Sequence, residues 1–395
     1  HILALHSLGE GGIAAGLANM AFGNGIGFQE SPGDTTLCLF RERYTAFLVE
    51  SSPDAQIERR LPGACLLGTT VDAPCMNFLQ NTINLSDLHQ AWATPLESIY
   101  PTQAISPHPE VDPFSYTPEV RPLGGISLGK PRVLIPVFPG TNCEYDTTRA
   151  FQAAGGDPRI LVFRNLTAEA VDDSLRTLAT QIRQSQILML PGGFSAGDEP
   201  DGSGKFIATV LRNPLVWEAV MDLIQKRDGL ILGICNGFQA LIKTGLVPYG
   251  EIRDPEPSAP TLTFNDIGRH VSTYVTTRVA STRSPWLSHT EVGDLHCIPV
   301  SHGEGKLYAS EACVRELASQ GQIATQYCDM AGNPSQAIAC NPNGSVYAIE
   351  GISSPDGRVL GKMGHSERRG ANVARNVPGE HHQPLFKAGV QYFTG

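Results

Sequence analysis

The chain has 395 residues, of which 41% are hydrophobic and 17% charged. This length predicts two or three domains with ample core. The balance of 29 Lys+Arg against 39 Asp+Glu gives a net charge of −10, which argues against nucleic acid or an anionic membrane as the main partner. No run approaches the roughly 18–20 apolar residues of a membrane span, and no signal-peptide pattern opens the chain.

Cysteine usage and the first residue bear on location and processing. The nine cysteines include no CxxC pair, so the sequence predicts neither a metal site nor a disulfide framework, and a reducing cytoplasm fits best. The first residue is His1 rather than methionine, and it begins a predicted strand over His1–Leu5. We therefore expect a fragment or processed piece of a longer chain.

Residues 1–73 are predicted to be a small α+β fragment. The glycine-rich turn Gly9–Gly12 leads into a helix over Ile13–Phe22. A loop of this kind can hold a phosphate at the helix N-terminus, but a plain strand–turn–helix explains it equally well. Further strands are predicted at Thr36–Leu39, Tyr44–Val49 and Leu66–Val71.

Residues 74–130 are predicted to be a connector. Eight prolines occur in this stretch at short intervals, and only Leu85–Trp92 has a helical pattern. A proline-rich connector of this length is expected to lie over a surface rather than to be free.

Strands and helices alternate from residue 131 to 395. This alternation predicts an α/β fold with a doubly wound, mainly parallel sheet and helices on both faces. Ligands of such sheets bind outside the carboxyl ends of the strands. The predicted strands are Arg132–Phe138, Arg159–Phe163, Gln186–Leu190 and, past Gly245, Leu262–Phe264, Thr273–Arg278, Cys297–Val300, Gln322–Tyr327, Val346–Ile352 and Arg358–Met363; the predicted helices are Glu144–Ala154, Ala168–Arg183, Leu215–Gln225 and Pro384–Phe393.

The segment Gly229–Gly245 has the pattern of a nucleophile elbow. An apolar strand runs into Gly233-Ile234-Cys235-Asn236-Gly237, and a helix follows. Glycine is expected at both flanks because a Cβ there would collide with the neighbouring strand or helix. The cysteine then lies at the end of a strand and faces a helix N-terminus, which favours thiolate over thiol. A buried structural cysteine is the alternative interpretation.

A thiol nucleophile needs a proton carrier, and His365 with Glu367 can supply one. Imidazole carries protons near neutral pH, and a carboxylate can fix its orientation. Residues two apart on an extended segment share a face, so the two side chains are expected to lie in line. His302 and Glu304 have the same spacing and form the rival pair. A solvated polar loop is the alternative interpretation of the segment that contains His365.

Attack on a carbonyl also requires N–H groups that face the developing oxyanion. The N–H of Asn236, directly after the cysteine, is one candidate. The loop Pro191–Phe194 follows the neighbouring strand and offers a second donor through Gly193 or Phe194. A purely structural Gly-Gly turn explains this loop equally well.

The motifs PGGF (191–194), GICNGFQ (233–239) and GHSER (364–368) together resemble a class I (triad) glutamine amidotransferase, whose fold is flavodoxin-like. FPGTNCEYDTTRAF, GGFSAGDEPDGSGKF and VSHGEGK narrow the resemblance to the glutaminase domain of the phosphoribosylformylglycinamidine synthase family, over residues 130–395. The resemblance implies a catalytic triad of Cys235, His365 and Glu367. It also implies that Gln239 helps to hold glutamine, and we include His302 among the substrate-binding candidates.

Four positions depart from the pattern of that family. Residues 1–73 resemble the last segment of its synthetase domain, but Ser7 and Glu10 replace two aspartates of an HDxSDGG-like stretch, which weakens any metal or phosphate role there. Ala196 replaces a more usual tyrosine. Ser366 replaces the proline of the more usual HPER, which keeps the histidine and glutamate and is expected to remove only a backbone stiffener.

The resemblance implies a reaction and a partner. L-glutamine would be hydrolysed through a glutamyl thioester, and the ammonia would pass to a synthetase domain that converts formylglycinamide ribonucleotide to formylglycinamidine ribonucleotide in purine biosynthesis. ATP and Mg²⁺ would belong to that synthetase portion, and no cofactor is expected in this chain. Without its ATP-binding portion, the chain is expected to be a weak glutaminase at best.

Two other functions remain open at this stage. An elbow-cysteine α/β protein of the DJ-1 type would share the cysteine but not the late His-x-Glu, so loss of His365 would have no effect. A non-catalytic docking module would leave Cys235 unreactive toward a glutamine-like electrophile.

Overall fold

The computed structural model describes residues 2–32, 38–78, 81–102, 104, 111–120, 124–125, 127–194 and 203–395. Thr36 and Leu37 of the predicted strand Thr36–Leu39 and the position of Ala196 fall outside the described residues. The other two residues of that prediction, Cys38 and Leu39, do not form a strand. The chain divides into two compact units, His1–Thr102 and Gln103–Gly395. None of the described helices is long and apolar enough to cross a membrane.

The first unit is a small α+β arrangement with two sheets. Strands β1 and β3 pair antiparallel, and a second sheet has the order β4-β2-β5-β6. The helices predicted at Ile13–Phe22 and Leu85–Trp92 are confirmed as α1 and α3. The elements are β1 (Ile2–Ser7), α1 (Gly12–Phe22), β2 (Gly27–Glu30), β3 (Phe47–Ser51), α2 (Ile57–Arg60), β4 (Gly68–Val71), β5 (Cys75–Phe78), β6 (Asn81–Asn84) and α3 (Leu85–Ala93).

The first unit extends further along the chain than the sequence indicated. Strands β5 and β6 and helix α3 lie within the stretch 74–130 that was predicted to be a connector. Each of these strands has four residues, too few for a period-two pattern to stand out. The origin of residues 1–73 as a synthetase fragment stays a prediction.

The glycine-rich turn before α1 has a packing reason. Gly12 has φ +59°, and a Cβ there would lie 2.5 Å from the carbonyl oxygen of Arg41 and 2.7 Å from that of Leu39. Only glycine combines this backbone angle with such close approach. A phosphate role for the loop stays a prediction.

The second unit is built on a sheet whose described strands have the order β13-β12-β15-β16-β17-β10-β9-β7-β8. Strands β17, β10, β9, β7 and β8 pair parallel to one another, and the pairs from β17 to β13 are antiparallel. The strands are β7 (Arg132–Val137), β8 (Asp157–Val162), β9 (Ile187–Leu190), β10 (Leu230–Ile234), β11 (Thr261–Phe264), β12 (Val271–Val279), β13 (Leu295–His302), β14 (Glu304–Tyr308), β15 (Ile323–Cys328), β16 (Ile349–Ser353) and β17 (Val359–Lys362).

Helices flank this sheet on both faces, so the predicted α/β fold is confirmed. One group consists of α4 and α11, which contact each other, and the other of α5, α7, α6 and α8, which contact in series. The helices are α4 (Glu144–Ala153), α5 (Ala168–Arg183), α6 (Lys205–Arg212), α7 (Pro214–Gln225), α8 (Asn236–Thr244), α9 (Leu246–Tyr249), α10 (Glu311–Ser319) and α11 (Leu385–Thr394).

Local sequence explains the best-predicted helix, α5, whose bounds agree with the prediction. Thr167 caps it by accepting a hydrogen bond from the backbone N–H of Ala170 at 3.1 Å. Its buried residues include Leu175, Leu178 and Ile182, at spacings that place them on one face of a helix.

Other elements of the second unit were predicted with mixed success. Helix α11 packs back as predicted, with Phe386 edge-to-face on Phe151 at 5.0 Å between ring centroids. The predicted strand Val346–Ile352 is wrong at its start: Tyr347 has φ +51°, and the strand begins at Ile349. Helices α6 and α10 and strand β14 were not predicted.

Candidate active site

The elbow between β10 and α8 has the predicted steric design. Cys235 itself has φ +52° and ψ −106°, an angle that a non-glycine residue adopts at a cost in energy and that occurs mostly at functional sites. A Cβ on Gly237 would lie 2.0 Å from the carbonyl oxygen of Leu190, and one on Gly233 would lie 2.5 Å from a methyl carbon of Leu241. The neighbouring strand and the following helix therefore leave room only for glycine.

The loop after β17 brings His365 to the same edge of the sheet. Strand β17 pairs parallel with β10, Ile234 lies opposite Lys362, and the backbone N–H of Cys235 donates to the Lys362 carbonyl at 2.9 Å. Because parallel strands end at one edge, the two loops are neighbours.

His365 and Glu367 are in contact, as their spacing predicted. The imidazole Nδ1 lies 2.6 Å from Glu367 Oε1, and neither side chain is exposed. The segment forms a turn rather than the extended strand that was expected. The interaction with His365 holds the pKa of Glu367 below its usual value although burial raises it. An ionised carboxylate can only accept, so Nδ1 carries the proton and Nε2 is left as the base.

Cys235 and His365 do not share a hydrogen bond in the described part of the chain, so the predicted row of three side chains is incomplete. The Cys235 Sγ donates instead to the backbone carbonyl of Ser301 at 3.4 Å. Nε2 of His365 is buried and has no hydrogen-bond partner among the described residues. The imidazole is therefore fixed by Glu367 at Nδ1, whereas Nε2, on the opposite side of the ring, has no hydrogen-bond partner in the described part of the chain.

The surroundings of Cys235 favour the thiol over the thiolate. Burial is the largest of the causes that together raise the pKa of Cys235 to about 12; Cys143 and Glu367 also raise it, whereas Arg368 and the N–H of Asn236 lower it. The predicted effect of the helix N-terminus therefore has the expected direction but is smaller than the effect of burial. A proton acceptor is needed during attack, which is the role that an unprotonated imidazole nitrogen can fill.

A second thiol, Cys143, lies beside the histidine and was not predicted. Its Sγ is 3.8 Å from His365 Nδ1 and accepts a hydrogen bond from the Arg368 guanidinium at 3.1 Å. Cys143 follows β7, whose carboxyl end lies at the same edge as β10, so its position in the sequence was the available signal. Among the described residues, one group of side chains has potential metal-ligand atoms within 4.8 Å of one another: Cys143, His365 and Glu367.

The loop with Gly193 and Phe194 lies against the site. A Cβ on Gly192 would be 2.6 Å from His365 Cε1, so the small residue makes room for the imidazole. The backbone N–H of Phe194 donates to the Gly140 carbonyl at 2.8 Å and is already committed. Gly193 and Asn236 therefore remain the candidates for oxyanion donors.

Gln239 is buried and bonded at both ends of its amide. It accepts from the Asn236 side chain at 2.9 Å and donates to the Glu304 carbonyl at 2.6 Å. In this arrangement its amide supports the loop that begins β14, and contact with substrate stays a prediction.

His302 is buried and paired with Asn265, not with Glu304. Its Nδ1 lies 3.0 Å from Asn265 Oδ1, an oxygen that also accepts from the Gly305 N–H at 3.2 Å. Burial, with the nearby His365, lowers the pKa of His302 to about 3, so the ring is neutral. The rival pair predicted from the His-x-Glu spacing is therefore not formed.

The second unit resembles known proteins in sequence. Residues 130–393 match the sequence model of the CobB/CobQ-like glutamine amidotransferase domain. The chain belongs to this family of glutamine amidotransferases.

Its relatives include proteins named phosphoribosylformylglycinamidine synthase subunit PurQ. The protein of Dehalococcoides mccartyi is 35% identical over 243 residues, which are 61% of this chain and 86% of the relative. That of Aquifex aeolicus is 34% identical over 237 residues, 60% of this chain and 90% of the relative. Within its family, the chain is PurQ-like. A solved structure described as PurLQS from Thermotoga maritima is 26% identical and covers 67% of this chain and 99% of that one, with a TM-score of 0.47.

Proposed function

We propose that this chain is the glutaminase component of phosphoribosylformylglycinamidine synthase, with Cys235, His365 and Glu367 as its catalytic triad. The observation that carries the proposal is a strained elbow cysteine at the end of β10, beside the end of β17, which leads to a buried histidine whose Nδ1 is held by a carboxylate. A cysteine elbow alone would also suit a DJ-1-like protein, but the His365–Glu367 pair favours amide cleavage.

The reaction begins when the Cys235 sulfur attacks the side-chain amide carbon of L-glutamine. The thiol proton moves to His365 Nε2 as the carbon–sulfur bond forms, and the N–H groups of Asn236 and Gly193 face the oxyanion. His365 then gives this proton to the leaving nitrogen, ammonia departs, and a glutamyl thioester remains. Glu367 keeps Nδ1 protonated and stabilises the imidazolium.

Water completes the cycle. His365 Nε2 takes a proton from water, the hydroxyl oxygen attacks the thioester carbon, and the sulfur leaves with the proton, which yields glutamate. For the first step, the Cys235 side chain must turn from the Ser301 carbonyl toward Nε2. Bound glutamine would favour this rotation of the Cys235 side chain, because its amide carbon must lie on the side of the sulfur from which the new carbon–sulfur bond forms.

The ammonia is proposed to serve a synthetase partner, which uses ATP to convert formylglycinamide ribonucleotide to formylglycinamidine ribonucleotide. Support comes from the relatives in Dehalococcoides mccartyi and Aquifex aeolicus, each of which is named as a subunit of this synthase. All nine cysteines are free in the structure, and a reducing cytoplasmic location stays part of the proposal.

The experiment combines activity with labelling. Glutaminase activity is measured with and without an added synthetase half, and a glutamine-like electrophile is located by peptide mass spectrometry. We expect label on Cys235, loss of activity by about 10,000-fold or more in Cys235→Ala, and similar loss in His365→Ala. Unchanged activity in His365→Ala would favour the DJ-1-like alternative. A folded protein that is not labelled would favour the docking alternative.

A further inference from the structure

A buried polar network holds the loop that carries His365. It consists of Glu350, Lys362, Ser366 and Gln383, and we refer to it as the Lys362 network. At its centre the Lys362 Nζ lies 3.3 Å from Glu350 Oε1, and these side chains are 1% and 0% exposed. Glu350 also accepts a hydrogen bond from the Thr325 hydroxyl on β15. The network therefore connects three neighbouring strands to the loop.

The ion pair grips the backbone immediately before the histidine. Glu350 Oε1 accepts from the Gly364 N–H at 2.6 Å, and Lys362 Nζ donates to the Gly364 carbonyl at 2.8 Å. A Cβ on Gly364 would lie 2.3 Å from Ile298 Cδ1 and 3.0 Å from the carboxylate. Glycine at this position is what allows the charged groups to reach both sides of the peptide.

The residue after the histidine is held by the same lysine. The Ser366 hydroxyl accepts from Lys362 Nζ at 3.1 Å and donates to Gln383 Oε1 at 2.6 Å. The three N–H donors of the ammonium are thus matched by three acceptors. The expectation that serine in HSER only removes a backbone stiffener is therefore wrong, because the hydroxyl adds two hydrogen bonds that proline lacks.

A buried ion pair is a poor source of stability, because taking two charges out of water costs about as much as their attraction returns. The geometry of the Lys362–Glu350 pair instead indicates a role in holding the backbone around His365. The pair bonds to Gly364 and Ser366, the residues on either side of His365, while the N–H of His365 itself donates to the Pro299 carbonyl at 2.8 Å. The imidazole is left with few ways to move other than rotation about its own side-chain bonds.

We propose that the Lys362 network positions His365, so that Nδ1 stays on Glu367 and Nε2 faces the sulfur of Cys235. Its members are positioning residues that act through the histidine, and Ser366 makes the network dependent on both Lys362 and Gln383. The inference rests on the proposed amide cleavage for its catalytic consequence, but the position of the imidazole can be measured without any reaction.

The test uses the full chain and variants of graded severity. Lys362→Met combined with Glu350→Gln removes both charges while keeping side-chain volume, and Ser366→Ala removes only the hydroxyl. For the double variant we expect kcat for glutamine hydrolysis to fall by about 100-fold with KM nearly unchanged. We expect a smaller loss for Ser366→Ala and retention of activity in Ser366→Thr. Gln322→Met is the matched control, because it removes two buried hydrogen bonds, to Pro248 and Ser353.

Nuclear magnetic resonance of histidine-labelled protein supplies the second measurement. The His365 Nδ1 proton shared with Glu367 should give a low-field signal, which Gln322→Met preserves and the double variant shifts or loses. If folded Ser366→Ala and the double variant both keep this signal and wild-type kcat, the proposal is overturned. If wild-type protein neither hydrolyses glutamine nor labels at Cys235, the proposed function fails, while the proton signal still decides whether the network positions the ring.

Discussion

The loops that carry Cys235 and His365 lie at neighbouring strand ends, yet they are fixed by different forces. The elbow is shaped by repulsion: backbone atoms approach so closely that Gly233 and Gly237 admit no Cβ. The histidine loop is shaped by attraction, through buried charges and hydrogen bonds that reach Glu350 and Gln383. The nucleophile is therefore held by local geometry and the base by long-range polar contacts.

This difference teaches where each half of the site is vulnerable. A steric elbow fails when an atom is added, because close-packed backbone cannot yield. A polar loop fails when an atom is removed, because each missing partner leaves a buried group unsatisfied. The elbow should consequently be damaged by substitutions that add atoms, and the histidine loop by substitutions that remove them.

Of the substitutions that test this difference between the loops, the largest effect is expected when the carboxylate beside the histidine becomes an amide. In Glu367→Gln, the side chain can donate as well as accept, so Nδ1 no longer has a fixed proton and Nε2 ceases to be a reliable base. We expect kcat to fall by about 1,000-fold with the free energy of unfolding little changed. Steady-state kinetics measures this, and Glu380→Gln, at an exposed position, is the control. Near-normal kcat in Glu367→Gln would show that another group orients the imidazole.

The elbow should break when one carbon is added. In Gly237→Ala the new Cβ would meet the Leu190 carbonyl oxygen at 2.0 Å, so strand β9 and helix α8 must separate. We expect the free energy of unfolding to fall by about 3 kcal/mol, measured by urea denaturation. The control Gly129→Ala adds the same carbon where no atom lies within 4 Å. Equal stability of the two variants would contradict the steric account.

The same contrast explains how much the sequence could predict. The elbow was predictable because its reason is contained in contiguous letters: an apolar strand, two glycines around Cys235, and a helix. The α/β fold followed from the alternation of such segments, and the contact of His365 with Glu367 followed from their spacing.

The remaining features depend on side chains that meet only after folding. No local pattern joins Glu350 to Lys362, since their strands meet through sheet pairing, and Cys143 reaches His365 because β7 ends at the same edge. The pairing of His302 with Asn265 rather than Glu304 also needed the fold, because equal spacing in sequence does not distinguish a turn from a strand.

The stability of the fold should also depend on pH, because His302 is buried and neutral. Burial lowers the pKa of His302 to about 3, whereas the unfolded chain has an ordinary value near 6.5. Below that value the unfolded state binds the proton and the folded state does not, so this residue makes stability fall as pH drops. Between pH 7 and pH 5 it should account for about 2 kcal/mol.

The measurement is urea denaturation of wild type and His302→Gln at the two pH values. Wild type should lose more stability than the variant by the stated amount. An equal loss in both proteins would mean that His302 can be protonated in the folded state.

The smallest effect is expected at Cys143, the thiol whose sulfur lies 3.8 Å from His365 Nδ1 in the polar loop. Its Sγ accepts from Arg368 at 3.1 Å, and a serine oxygen can accept the same bond, so Cys143→Ser should lower kcat by about tenfold at most. Mass spectrometry of the electrophile-treated variant should still find label on Cys235, whereas Cys235→Ala should leave Cys143 unlabelled, because the Cys143 sulfur lies beside His365 Nδ1, which Glu367 already holds, and so lacks a nitrogen that can take its proton. Label on Cys143 rather than on Cys235, together with loss of hydrolysis in Cys143→Ser as complete as in Cys235→Ala, would assign the nucleophile's role to Cys143. The strain at Cys235 would then lack a catalytic reason, and the division into a steric half for the nucleophile and a polar half for the base would fail.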